Sequence, residues 1–296
     1  AMTVSRWLEA RGQTEKLTAW LWEPLALAAL NQSPDEALAT PFVRVLAEMF
    51  GPDREASAIA LPLRPLHQMY AEPARAFIVS RGGEVRTGAL ARVLTDGTRV
   101  TGVDVRGERI ATACVVAAVP WFGMRTVFAP PVPSALTRLV ADAGAMDSKP
   151  IVTVNLWYDR RVMDEPFVGL PGRAMQWVFD KRLTFGRETS HLSLVASGAD
   201  ALAGVRADDL VARAAAEVAE AIPGARGATL VRGTVIREKH ATFSLAAGQP
   251  VRPPTRTGVD GLLVAGDWID TGLPGTIESA VVSGHLAARA ILNANG

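Results

Sequence analysis

The stretch GLLVAGDWIDTGLPGTIESA, residues 261–280, decides how the rest of the chain is read. Leu262, Leu263, Val264 and Ala265 form an unbroken apolar run, short enough for a strand buried on both faces of a parallel sheet. Gly266 and Asp267 follow at its carboxyl end. A turn-rich segment with Asp270, Gly272, Pro274 and Gly275 comes next, and Thr276, Ile277 and Glu278 open a helix that runs to Leu292. Open α/β sheets bind ligands beyond the carboxyl ends of their strands. A helix N-terminus there presents unpaired N–H groups and a partial positive charge. The pattern predicts a site for a phosphate or an electron-rich ring, with Asp267 accepting from a hydroxyl. Any α/β domain can end in strand, turn and helix, so spacing alone leaves a plain structural terminus open.

Working outward, residues 109–119 (RIATACVVAAV) read as one more buried strand, ended by Pro120, with Cys114 as inert packing. Before it, residues 84–86, 91–94 and 99–106 read as strands around an Asp96-Gly97 turn. Residues 5–12, 14–30 and 40–50 read as helices, with Gly12 as a stop and Pro24 as a kink or restart. Residues 65–80 read as a helix broken near Pro73. Residues 61–70 and 42–50 are apolar with scattered arginines, readable as a buried helix pair or as a membrane-facing entrance. Beyond a Pro-rich stretch with a helix at 134–141, strands are expected at 151–158, 175–179, 191–196 and 229–238. An amphipathic helix at 207–222 carries its charges on a solvated face. The fold class is α+β or α/β, in two lobes. A nucleotide-type lobe comes from 81–120 and 258–293, and a second lobe, with a mixed sheet and helices, from 3–80 and 121–257.

Composition narrows the function. With 296 residues, about two domains are expected at roughly 100–200 residues each. A net charge of +1 argues against nucleic-acid partners. The single cysteine excludes an internal disulfide framework and CxxC metal sites, and the four histidines are scattered, so no metal is expected. There is no GxGxxG, Walker A loop, HExxH or GxSxG. No secretory leader or membrane span is visible in the chain, which points to the cytoplasm. Ala1 ahead of Met2 reads as a residue left by tag cleavage.

The run AGDWIDTGLPGTIESAVVSG (265–284) resembles the C-terminal flavin-contacting motif of the FAD-dependent amine oxidase and phytoene desaturase superfamily. More narrowly, the chain resembles the squalene-associated FAD-dependent desaturases, read as hydroxysqualene dehydroxylases of hopanoid synthesis. Leu21-Trp22-Glu23-Pro24-Leu25, Arg54-Glu55-Ala56-Ser57 and Arg81-Gly82-Gly83-Glu84-Val85 agree with it. The resemblance implies a Rossmann-like, glutathione-reductase-type FAD lobe, here incomplete. Members of the superfamily open with a strand, GxGxxG and a helix, which this chain lacks; without that turn it should bind FAD weakly or not at all. The chain then reads as truncated, late-started or split.

By the same resemblance, Gly266, Asp267, Trp268, Gly275, Thr276, Ile277 and Glu278 would contact FAD. Val85 and Leu90 belong to the second FAD segment, with a plain β-hairpin as the alternative. Trp121, Trp157, Trp177, Phe179 and Trp268 are candidates for lining an isoprenoid tunnel, where aromatic faces stabilise cations; core packing is the alternative for each. Asp270 is the candidate acid for protonating a leaving hydroxyl, if burial raises its pKa; a turn-forming role is the alternative. His191, His240 and His285 read as structural or surface residues. The implied reaction is reductive dehydroxylation of hydroxysqualene to squalene. The partners implied are a long apolar isoprenoid and a peripheral membrane surface. Alternatives are a carotenoid-type desaturase, an amine oxidase, or a non-catalytic lipid- or partner-binding lobe that needs a separate FAD-binding chain.

Overall fold

Two prolines shape the helical first part of the chain, in a computed structural model that describes residues 1–186 and 190–293. Helix α1 (Val4–Ala10) begins where the Thr3 side chain accepts the Arg6 N–H, and α2 (Glu15–Leu17) where Thr14 accepts that of Leu17. The run then widens into a π turn, Thr18–Trp22, directly before α3 (Glu23–Leu30), which carries Pro24 in its first turn. The same device recurs after α4 (Ala39–Met49): a π turn at His67–Ala71 precedes α5 (Glu72–Ser80) and Pro73. A wide turn makes room for the ring and tolerates the missing N–H, so both runs pass through proline instead of breaking.

Strands β1 (Ala91–Thr95), β2 (Val100–Val105) and β3 (Glu108–Ala111) form an antiparallel three-stranded sheet. The stretch 109–119 is not one strand. The Thr112 hydroxyl donates to the Cys114 carbonyl and accepts the Cys114 N–H, a local bend that separates exposed β3 from β4 (Val115–Ala117). Cys114 is exposed at that bend, not packed inside. Residues 84–86 form no strand either; they lie in the irregular link between α5 and β1.

After α6 (Thr137–Ala145) comes the larger sheet: β5 (Ser148–Tyr158), β6 (Phe167–Gly169), β7 (Trp177–Asp180), the short α7 (Arg182–Phe185), β8 (His191–Ala196), α8 (Ala207–Ala221) and β9 (Leu230–Phe243). Its order is β6-β7-β8-β5-β9, and every pairing is antiparallel, so the mixed sheet expected of this lobe is corrected. The consecutive neighbours β6-β7 and β7-β8 are joined by short returns, and β5 sits between β8 and β9. Val152, Val154, Leu156, Leu192 and Leu194 turn inward and pack against Leu210, Ala214 and Val218 of α8. Glu217 of α8 is buried rather than solvated; its carboxylate accepts the N–H groups of Ala174 and Met175.

The chain closes with β10 (Leu262–Val264), which pairs in parallel with β4, and α9 (Ile277–Leu292), whose Ala287 packs on Leu263 and Ala265. A second core lies under this pair. It joins Val4, Leu8, Leu30 and Phe42 of the helices to Ala117, Leu262, Val264 and Trp268.

Candidate functional site

The carboxyl ends of β4 and β10 lie side by side, and the turn between Gly266 and Thr276 is tied down from three directions. From α9, the Ser283 hydroxyl accepts the Gly266 N–H at 2.8 Å, and the Ser279 hydroxyl donates to the Asp267 carbonyl at 2.9 Å. From the segment just past β4, the Val119 carbonyl accepts the Trp268 indole N–H at 2.9 Å. From the Pro-rich loop, Arg252 donates to the carbonyls of Asp267, Trp268, Ile269 and Leu273. Its guanidinium also lies 4.8 Å from the Phe243 ring centre. Arg252 makes no ion pair within 4 Å among the described residues; Asp267 and Asp270 act on it only at longer range, and burial pushes its pKa down.

Gly266 has φ +144°, and an added Cβ would stand 2.8 Å from the Trp268 ring, so glycine is required there. Gly275 is flush with its surroundings: a Cβ would meet Asp267 Oδ2 and Phe243 at 3.2 Å. Half-buried Asp267 accepts its own N–H and that of Trp268, yet burial dominates and raises its pKa above the ordinary carboxylate range. Thr276 caps α9 by accepting the Ser279 N–H, while the N–H groups of Ile277 and Glu278 find no acceptor among the described residues. Both residues are exposed. The electropositive tip of α9 is open, beside a desolvated carboxyl. A cleft of about 350 Å³, lined by Leu38, Met146, Phe243, Arg252, Asp270 and Leu273, borders the turn.

The structure brings Gly266, Asp267, Gly275, Thr276, Ile277 and Glu278 together. Other expectations change. Trp268 has no exposed surface, and its indole is a strut between strand ends, not a wall for substrate. Trp121 is likewise buried, edge-on to Phe122 and Phe243. Asp270 is exposed, so the burial its acid role required is missing; its N–H donates to the Pro253 carbonyl. Val85 and Leu90 lie before β1. Val100, at the far end of the β1–β2 ladder from Leu90, bonds to Asp260 just ahead of β10.

Trp157, Trp177 and Phe179 share the outer face of the larger sheet, since Trp177 lies beside Val195 and Thr153, Phe179 beside Ser193 and Asn155. Trp157 stacks on His191 with ring centres 4.2 Å apart, and His191 Nε2 meets Asn155 Oδ1 at 2.9 Å. Trp157 stands nine strand steps from Ser148, which pairs with Phe243 beside the turn, a span of about 30 Å. A cation formed at the turn is out of its reach. Residues 61–70 form no buried helix pair: Leu63, Leu66, Met69 and Tyr70 are exposed.

Sequence reasoning missed Arg252, Ser279, Ser283 and Phe243. The two serines stand four apart on one helix face, which was a readable signal. An arginine between Val251 and Pro253, with no acid beside it, was a weaker one.

Chemically, the arrangement is a helix tip, a hydroxyl acceptor and a rigid backbone turn at the carboxyl end of a parallel pair, the layout of a dinucleotide-type oxidoreductase lobe set beside an antiparallel second sheet. The family described as flavin containing amine oxidoreductase matches residues 59–292, and the chain belongs to it. Hydroxysqualene dehydroxylase from Rhodopseudomonas palustris is 32% identical over 277 residues, covering 92% of this chain and 62% of that protein. The protein of the same name from Sinorhizobium fredii is 29% identical, covering 90% and 61%. The 15-cis-phytoene desaturase of Synechococcus elongatus is 23% identical, covering 97% and 64%. The chain thus spans about three fifths of the length of these curated relatives. Among solved structures, cyclohexylamine oxidase from Brevibacterium oxydans shares the fold with TM-score 0.70 at 16% identity, covering 98% of this chain and 67% of that one. An oxidoreductase from Methanosarcina mazei does so with TM-score 0.70 at 13% identity, covering 98% and 68%.

Proposed function

We propose that the chain is the ring-facing and substrate-facing part of a flavin-dependent oxidoreductase of isoprenoid metabolism, which reductively removes the allylic hydroxyl of hydroxysqualene to give squalene. The observation that carries this reading is the unplugged tip of α9 beside half-buried Asp267. The residues fit the ring end of FAD. The free N–H groups of Ile277 and Glu278 would donate to the electron-rich edge of the ring, and Asp267 would accept from the ribityl chain. Bound there, the flavin would supply the hydride chemistry. The described residues offer no glycine-rich turn for its pyrophosphate, so we assign that half to a segment outside this chain.

The chain's own residues bind, orient and exclude water. Arg252, Ser279 and Ser283 hold the turn so that its donors need no rearrangement. The outer sheet face, with Trp177 and Phe179, would hold the apolar substrate dry. The nucleotide lobe, in this reading, is 81–120 with 258–293, and the remainder carries substrate. Exposed Leu63, Leu66 and Met69 around Arg64 support a peripheral membrane contact on the side where a lipid would enter. The test is squalene formation from hydroxysqualene under reducing conditions, with FAD and a polypeptide supplying the phosphate-binding turn. Squalene supports the reading; turnover of amines instead, or of neither substrate, overturns it.

A further inference from the structure

We propose that the pocket between α3 and the β6–β7 hairpin is a hydroxyl-binding subsite, in which one alcohol oxygen on an apolar chain donates to Glu23 and accepts from the Trp177 indole N–H. The proposal deepens the isoprenoid-alcohol reading above and rests on it: the alcohol is the hydroxyl that the substrate carries.

The pocket holds about 290 Å³, and Trp20, Pro24, Leu27, Leu170 and Trp177 give it apolar walls. Two of its polar side chains are already spent. Arg173 donates to Glu220 at 2.6 Å, and the Gln176 amide exchanges two hydrogen bonds with the Ser197 backbone. Two others are not. The Glu23 carboxylate has no hydrogen bond or ion pair among the described residues. Trp177 Nε1 is shut off from water and has no acceptor among them. A buried donor without an acceptor is destabilising, and folded proteins keep few of them. Here the orphan belongs to a pocket wall that also carries a free carboxylate.

The local sequence adds a second acceptor. The Glu23 N–H bonds back to the Thr18 carbonyl across the π turn, and Pro24 has no N–H. Those are the two groups that would reach the Ala19 carbonyl in an α or a π register, so its intrahelical donors are spent or missing. Ala19 lines the same pocket. The helical run thus brings two acceptors and the sheet brings one donor.

This set selects its occupant. A hydrocarbon meets none of the three. An ammonium presents only donors, so it would bond the acceptors and leave the indole N–H unrelieved. A hydroxyl donates and accepts at one atom and serves both sides. The Trp177 ring lies against Gly169, its partner on β6, where a Cβ would stand 3.3 Å from the indole. The glycine leaves the ring room to turn its N–H toward an arriving oxygen.

The placement also fits a substrate that reaches the Gly266–Thr276 turn. Asn31, at the end of α3, donates to the Lys149 carbonyl and the Thr242 hydroxyl and accepts the Gly198 N–H. Thr242 Cβ stands 3.3 Å from where a Cβ on Gly275 would be. Helix α3 therefore runs from beside the turn to the pocket, with Glu23 about 12 Å from Asn31 along it. Trp177 lies in register with Val195 and Thr153, five strand steps from Ser148, or about 16 Å. Trp157 is nearly twice as far.

The test is indole and amide NMR of the full chain in a neutral detergent, titrated with farnesol, farnesene or farnesylamine. Farnesol should move the Trp177 indole signal, assigned by its loss in Trp177→Phe, downfield and saturably, and farnesene should not. Followed at the amides of Leu170 and Gly172, Glu23→Ala should weaken farnesol binding about tenfold and Trp177→Phe about fivefold. Glu9→Ala, at an exposed acid of α1, should change nothing. Equal shifts with farnesene, tighter binding of farnesylamine than of farnesol, or affinities indifferent to both pocket substitutions overturn the proposal. Farnesol binding with these sensitivities, in a chain whose FAD-loaded assembly forms no squalene, leaves the subsite standing and removes the dehydroxylase reading. Squalene formed at the parent rate by both pocket variants does the reverse.

Discussion

The five-stranded sheet and the two-stranded sheet are both built around apolar strands, but one is finished and the other is not. In the larger sheet Val152, Val154 and Leu156 of β5 share one core with Leu210, Ala214 and Val218 of α8, and all five strands lie between 148 and 243. In the smaller, β4 and β10 come from segments far apart in the chain, the outer edge of β4 pairs with no strand among the described residues, and the helix that covers the pair has a second apolar face. The first stands on its own packing. The second is held by a few polar ties, Arg252, Ser279 and Ser283, and its exposed groups are those a ligand or partner would use.

Substitutions should separate the two. The largest effect is expected from Leu156→Ala, fully buried in the larger sheet, which should lower the free energy of global unfolding by about 2–5 kcal/mol in denaturant titration. Gly261→Ala should act on the smaller sheet. Gly261 has φ +74°, and its Cβ would stand 1.9 Å from the Ala113 carbonyl oxygen, so strain and overpacking together should cost about 2–4 kcal/mol. Hydrogen exchange should rise at β4 and β10 while β5 stays protected. Equal loosening of both sheets would erase the contrast drawn here.

Arg252→Gln should cost about 1.5–3 kcal/mol, since four carbonyls lose a charged donor, with exchange increasing around Ile269 and Leu273. Asp267→Asn sharpens the comparison through pH. Burial raises the folded pKa of Asp267 above its unfolded value, so the stability linked to its proton is present at low pH and lost as pH rises through the folded pKa. The asparagine variant should gain on the parent as pH climbs from about 4 toward neutrality, and the gap should close below that range. The smallest effect belongs to Arg86→Ala: its ion pairs with Glu84 and Glu108 are exposed, and less than about 1 kcal/mol should be lost.

Much of the fold was legible because local pattern and tertiary role agreed. Alternation marked β8, the 3.6-residue period marked α8, and the apolar run with its Gly-Asp and Gly-Pro turn marked β10 and α9. What was not legible depends on distant partners. Nothing near Arg252 in sequence says that it reaches carbonyls 15–21 residues away. Trp268 beside Gly-Asp reads as a site aromatic until the Val119 carbonyl is seen to hold its indole. The break inside 109–119 turns on one threonine hydroxyl, and the exposure of Leu63, Leu66, Met69 and Tyr70 on a segment that is held to the larger sheet only at its start, where the Thr184 hydroxyl donates to the Pro62 carbonyl.

The central claim is that the tip of α9 and the Gly266–Asp267 turn receive a flavin ring. Two-dimensional amide NMR of the chain, titrated with flavin mononucleotide to millimolar concentration, tests it without a partner or turnover. The account predicts saturable shifts concentrated at Gly266, Asp267, Thr276, Ile277 and Glu278, with β5 and α8 silent. Shifts centred elsewhere, or none, would contradict it.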